Sequence, residues 1–208
     1  MFRRFSGPAT GPRLRSVRPA RPTPPKELPG VPPSAGESVP VGTKICRLIF
    51  LFPRPMPAGI GLHPYFRYVP AGEVGYRADC IWPTNTHQLV DPRRALQAGE
   101  SGAPPRPVPS GSLTRHLSHW DGAATWRCSP DQDAVLQADP LFGHLVVHRP
   151  DSPRYLCLEP VSHVANGFNL ADSGVAGTGT RMLAPGESMG CRVRIALLHD
   201  ARAALTPP

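Results

Sequence analysis

From Lys44 onward the chain is a succession of short apolar runs, each about the length of a β-strand. ICRLIFLF, YRADCIW, ATWRC, AVLQA, HLVVHR, RYLCLE and CRVRIALL are rich in β-branched or aromatic residues. Turn chemistry separates them: RPMPAG, VPAGE, SPDQD, RPDSP and APGES. No stretch carries an apolar stripe at helical spacing over three turns. The segment GESGAPPRPVPSGS (99–112) is expected to be a loop inserted between strands. The pattern predicts an all-β protein, an antiparallel β-sandwich of short strands.

The opening of the chain has a different texture. Residues 1–40 hold ten prolines, few bulky apolar groups and no periodicity, the composition of a disordered or polyproline-like segment. We therefore divide the chain into a disordered Arg/Pro-rich segment over 1–43, a sandwich domain over 44–200 and a C-terminal tail over 201–208. A length of 208 residues with 40% hydrophobic and 18% charged residues is enough for one domain with a core. The net charge of +8 is unevenly spread. Arg3, Arg4, Arg13, Arg15, Arg18, Arg21 and Lys26 stand against Glu27 and Glu37, so residues 1–40 carry +5 and the other 168 residues only +3. The domain itself is nearly neutral, and the tail has only Phe2 and Phe5 as aromatics, without the stacking platform of a single-strand binder. A nucleic-acid partner is not expected.

Five cysteines (Cys46, Cys80, Cys128, Cys157 and Cys191) are odd in number, widely spaced and free of CxxC pairs. They imply a reducing compartment, with neither a disulfide framework nor a zinc site. The longest apolar run, Leu48 to Phe52, is far too short to cross a bilayer, so no membrane association is expected. The Arg-rich, acid-free start resembles an organelle presequence, but Pro8, Pro12, Pro19 and Pro22 break the amphipathic helix that such a signal needs. The expected location is cytoplasmic.

Two residues stand out chemically. Glu159 interrupts the apolar run YLCLEPVSH, where a carboxylate is either turned into water at a strand end or held in a pocket to move a proton. Burial would raise its pKa, which suits a general base. His163 is either its partner or a loop residue. His63 lies in PAGIGLHPYF, where the glycines allow close backbone approach and Pro64 favours extended backbone. An imidazole beside Tyr65 and Phe66 is either packed or able to exchange a proton near neutral pH. His144 and His148 form HxxxH, but LVV between them reads as strand, which separates the rings by roughly 13 Å, and no Glu follows the first histidine. A metal site is not expected there. GVAGTG within SGVAGTGT lacks a strand–loop–helix context, so it is not read as a phosphate cradle.

Three stretches taken together resemble the aldose 1-epimerases, the galactose mutarotase-like family: RPMPAGIGLHPYF (54–66), YLCLEPVSHVANGFN (155–169) and RMLAPGESMGCRVRI (181–195). FGHLVVHRP precedes the second stretch in the matching order. The resemblance spans about residues 45–198 and implies a β-supersandwich that binds a small-molecule sugar in an open cleft. It implies interconversion of the α and β anomers of a hexose, without metal or nucleotide cofactor. It further implies that His63 delivers a proton to the ring oxygen and that Glu159 takes one from the anomeric hydroxyl.

The departures from the family pattern shape the expectation. The family's first half supplies an arginine and another histidine for the sugar hydroxyls, and residues 1–40 hold no counterpart, so the domain is expected to be N-terminally truncated. In LTRHLSHWDG (113–122), Thr114 stands where relatives carry an aspartate, and Asp121 belongs to a different position. Asn166-Gly167 replaces the more usual Asp-Ala and is expected to loosen the turn after Glu159. Because a misplacement of about 1 Å can cost ~10²-fold in rate, turnover is expected to suffer. The alternative function is therefore a catalytically silent carbohydrate-binding or non-functional relative. Arg67, Arg115 and Arg154 are the basic residues available if the sugar is phosphorylated.

Overall fold

The computed structural model describes residues 38–49, 53–86, 89–97, 100, 102–152 and 154–198. The Arg/Pro-rich segment over residues 1–37 and the tail over 201–208 lie outside the described residues. The apolar runs of the sequence become strands in order. The first part of the chain gives β1 (Ser38–Ile49), β2 (Met56–Ala58), β3 (Tyr65–Arg67), β4 (Glu73–Tyr76) and β5 (Cys80–Trp82). Two short strands follow, β6 (Arg94–Ala95) and β7 (Arg106–Pro107), and then β8 (Leu113–Ser118), β9 (Ala123–Ser129) and β10 (Gln132–Ala138). The last part holds β11 (His144–Arg149), β12 (Tyr155–Val161), a helix α1 (Gly167–Asp172), β13 (Arg181–Leu183) and β14 (Ser188–Leu198).

Among the described residues these strands form two six-stranded antiparallel sheets, β1-β14-β10-β9-β4-β7 and β3-β12-β11-β8-β5-β6, and a ribbon of β13 with β2. The all-β sandwich expected from the sequence is the fold observed. Period-2 alternation decides which face of each strand is buried. In the first sheet Val74, Trp126, Leu136 and Val193 point inward, and in the second Ile81, Leu117, Leu145, Val147, Leu156 and Leu158 meet them in one core. Phe66 adds to it, packing on Trp126 with ring centroids 4.1 Å apart. The inner rows of β8, β11 and β12 are therefore fixed by the hydrophobic effect, which frees their outer rows for polar groups.

Four local readings of the sequence change. The strand pairing of β1 begins at Ser38, upstream of the boundary expected at Lys44. YRADCIW divides between β4 and β5, which belong to different sheets, because the chain turns at Arg77–Asp79. The segment over 99–112 is not wholly loop, since Arg106 and Pro107 add an edge strand to β4. Pro107 is tolerated there because an edge position needs no ladder donor on its outer side. The fourth is α1, which at six residues is too short for a three-turn apolar stripe to announce it. It starts after Asn166 at φ 58°, a left-handed conformation that asparagine tolerates better than most residues. Leu170 packs beside Trp82, Val90 and Val164 in a second cluster that covers part of the outer face.

The two faces of β8 supply a direct check. Leu117 is fully buried in the core, whereas Thr114 is exposed on the outer face. Leu117→Ala should lower the unfolding free energy by about 2–5 kcal/mol, and Thr114→Ala by no more than about 1 kcal/mol, in parallel urea titrations. Equal losses would mean that the sheet is turned over relative to the core.

Candidate active site

The outer face of the second sheet is built by register. Opposite residues on neighbouring antiparallel strands point to the same side, so each pairing extends a row. One row runs Tyr65, Cys157, His148, Thr114 across β3, β12, β11 and β8. The next runs Glu159, Val146, His116, Trp82 across β12, β11, β8 and β5. A third runs Gly61, Val161, His144, Ser118, Cys80.

The segment before β3 continues the pairing of β3 with β12. Leu62 N donates to Pro160 O at 3.0 Å and Ser162 N to Ile60 O at 2.8 Å. The same register sets His63 against Glu159, and His63 Nε2 lies 3.1 Å from Glu159 Oε1. The glycines make this approach possible: a Cβ on Gly61 would lie 2.8 Å from Val161 Cγ1, and one on Gly59 would lie 2.1 Å from His163 Nδ1. Pro160 lacks a backbone donor, and beside it Ser162 Oγ accepts from Ile60 N at 2.9 Å, a further tie between the two segments.

The pair is electrostatically uneven. The Glu159 side chain is 12% exposed and that of His63 51%. Burial pushes the Glu159 carboxyl above the usual carboxylate range, while the nearby His63 pulls the other way. Tyr65 stacks on the His63 ring with centroids 4.7 Å apart and meets Tyr155 edge-on at 5.0 Å. His163 is not the partner of Glu159. It stacks on Phe168 at 4.9 Å and lies against Gly59.

His144 and His148 share the outer face of β11, each bonded to a hydroxyl. His144 Nδ1 is hydrogen-bonded to Ser118 Oγ at 2.8 Å, and Ser118 Oγ accepts from the Trp82 indole N–H. His148 Nδ1 pairs with Thr114 Oγ1 at 2.9 Å. Gly177 and Gly179 of the GVAGTG stretch have positive φ, and the loop closes on the sheet instead of opening as a cradle. A Cβ on Gly179 would lie 2.1 Å from Ser162 O and 2.5 Å from His144 Nε2. Asp121 accepts from Ala123 N in the β8–β9 turn, and Arg115 donates to Tyr76 Oη and Glu100 O away from the outer face.

Three possible metal ligands, on His63, Cys157 and Glu159, lie within 4.8 Å of one another. The thiol is a poor contributor. Burial, helped by the Glu159 charge, pushes Cys157 up to about 12, so a metal would have to displace a firmly held proton. The cysteines at 80, 128 and 157 are free thiols. No helix among the described residues is long and apolar enough to cross a membrane.

With the geometry established, comparison with known proteins places the architecture. No family model matches the sequence, and no curated protein does. Solved structures do. The chain superposes on a candidate aldose 1-epimerase from Escherichia coli K12 with a TM-score of 0.67 at 20% identity, covering 76% of this chain and 56% of that one. For a galactose mutarotase-like protein from Clostridium acetobutylicum the TM-score is 0.64 at 18% identity, over 76% and 52% of the two chains. A galactose mutarotase-like protein from Lactobacillus casei gives 0.59 at 14%, over 74% and 58%. The chain has the galactose mutarotase-like fold. It spans between about half and three-fifths of the length of these structures. The galactose mutarotase-like fold thus agrees with the resemblance carried by the three sequence stretches.

Some groups on the face were not singled out from sequence as chemistry: His116, the Thr114–His148 pair, Tyr65 and Tyr155. The signal available was polar spacing at period 2 in Thr114-x-His116-x-Ser118, with His144 and His148 on the same parity of the next strand.

The buried His144 gives a pH prediction. Burial, then the nearby His163, His119 and Arg93, hold its pKa down at about 4. The unfolded chain therefore binds the proton first, and stability falls as pH drops from about 6.5 towards 4. The loss attached to this group is roughly 3 kcal/mol. His144→Gln should flatten the fall in Tm between pH 7 and pH 5. An unchanged slope would assign the acid sensitivity to other groups.

Proposed function

We propose that this chain is an aldose 1-epimerase-like isomerase that interconverts the α and β anomers of a free hexose. The observation that carries the reading is the direct pairing of His63 with Glu159 on the outer face of a mutarotase-like fold. Epimerisation needs a proton delivered to the ring oxygen while another leaves the anomeric hydroxyl. His63 is the acid towards the ring oxygen, and Glu159 is the base towards the hydroxyl. As the C1–O5 bond breaks, the imidazolium proton passes to O5 and the hydroxyl proton to the carboxylate, leaving an open-chain aldehyde. Rotation about C1–C2 presents the other carbonyl face. Closure then returns one proton from O5 to His63 and one from Glu159 to O1.

The proton count balances, and no cofactor is required. The pair holds one exchangeable proton in either state, and burial of Glu159 brings its affinity closer to that of an imidazole, which suits transfer in both directions. In the sugar-free site the two groups bond to each other, so a substrate enters by taking over one hydrogen bond from each. The half-exposed ring of His63, on the edge strand, is the member free to move aside.

Polarimetry of freshly dissolved α-D-glucose and α-D-galactose is the test. The protein should accelerate mutarotation of at least one of them, and Glu159→Gln should lower the rate by about 10²–10⁴-fold. Since burial disfavours the charged carboxylate, the same substitution should leave Tm unchanged or higher. The acid limb of the rate profile should lie above the ordinary carboxylate range, because the rate depends on ionised Glu159. A protein folded by circular dichroism that accelerates neither sugar would favour a catalytically silent relative.

A further inference from the structure

We infer that His116 and His148, with Val146 as the floor between them and Glu159, form the subsite that holds the far edge of the sugar. The pyranose lies across Val146, with its anomeric carbon at His63 and Glu159 and its opposite hydroxyls hydrogen-bonded to the two imidazoles. The inference takes the identity of its ligand from the epimerase reading, and assigns the recognition of that ligand to residues that have no part in the proton transfer.

Spacing is the first argument. Glu159, Val146 and His116 are opposite one another on three consecutive strands. Two strand separations put the backbones of Glu159 and His116 about 10 Å apart, which suits a pyranose with one hydrogen bond at each edge. Val146 is only half-buried and carries the smallest side chain of that row, so it offers a flat apolar patch. Sugars present such a face through their ring C–H groups.

The second argument is what the two rings lack. His116 Nδ1 is buried with no hydrogen-bond partner among the described residues. An unmet buried polar atom is destabilising, and a hydroxyl resting over Val146 relieves that cost once the ring turns to meet it. His148 is complementary. Its Nδ1 is engaged by Thr114 Oγ1 at 2.9 Å, and the ring also bonds the Leu113 backbone, so its orientation on the face is fixed.

Charge is the third. Burial and the neighbouring His148 hold His116 below the usual imidazole range, and burial with the nearby His63 does the same for His148. Both rings are therefore neutral around pH 7 and can each act as donor or acceptor towards an uncharged hydroxyl.

The test uses the full chain. In the Glu159→Gln variant, selectively ¹⁵N-histidine-labelled, D-galactose and D-glucose are titrated while the imidazole resonances of His116 and His148 are followed. Both should shift with one common saturation curve. In the Glu159-containing protein, His116→Ala and His148→Ala should each raise KM by roughly 3- to 10-fold with kcat changed less than about 2-fold, and His148→Gln should recover part of the loss. Mutarotation with unchanged KM in both alanine variants, or with imidazole resonances that ignore the sugar, overturns the subsite while leaving the epimerase reading intact. A folded, inactive protein whose two resonances still shift retains the subsite and loses the epimerase reading. A folded protein with neither response overturns both.

Discussion

The candidate site depends on the pairing of the Gly59–Arg67 segment with β12. Side chains alternate along both, so a slip of one residue would send His63 or Glu159 to the opposite face. Several contacts hold the register at once: the backbone bonds around Pro160, the Tyr65–Cys157 pairing, and the close approach of Gly59 and Gly61 to His163 and Val161. Larger residues at either glycine would push the edge strand away just where the 3.1 Å contact between imidazole and carboxylate is made. The proline after Glu159 removes a ladder donor, and the Ser162 hydroxyl, accepting from Ile60 N, adds a separate tie between the two segments. Chemistry at this face is a consequence of strand pairing more than of loop placement.

The same strand also explains the energetics of the site. Leu156 and Leu158 commit β12 to the core, and the intervening positions must then point outward whatever they are. Glu159 is carried into a poorly solvated position by the burial of its neighbours. The cost of holding a carboxylate there is met by apolar packing on the other side of the sheet. A carboxylate with raised proton affinity is the result, without any dedicated charged neighbour to create it. The half-exposed His63 opposes the shift without cancelling it, so the pair stays responsive to a ligand that replaces their mutual bond.

Much of this was legible in the sequence because strand-length runs, turn residues and alternation are local. The sandwich and its core follow from them, and the resemblance of three stretches singled out Glu159 and His63. What could not be read was non-local. That His63 faces Glu159, while His163 stacks on Phe168, depends on a register between segments about a hundred residues apart. His116 carries no motif and His148 stood out only in an HxxxH pattern, and it is the side-by-side placement of β8, β11 and β12 that aligns them with Glu159. The helix that starts after left-handed Asn166 and packs over Trp82 was not legible because six residues are too few for a helical stripe.

The outer face is rich in titratable groups yet nearly uncharged. His116, His144 and His148 are held towards their neutral forms, each chiefly by burial, and Cys157 keeps its proton. Mutual repulsion reinforces the effect, since one charged ring would disfavour the next. Among these row-forming groups the field is therefore dominated by Glu159 and whatever proton it shares with His63. Such a surface suits a ligand that carries many hydroxyls and no charge. Neutral imidazoles meet either end of a hydroxyl dipole, while one proton is free to move where His63 and Glu159 meet. A face lined with protonated histidines would draw anions instead and would stabilise Glu159 in its ionised form, lowering its strength as a base. Neutral rings around one raised carboxylate leave its proton affinity high, which is the condition that reversible proton exchange with a sugar requires.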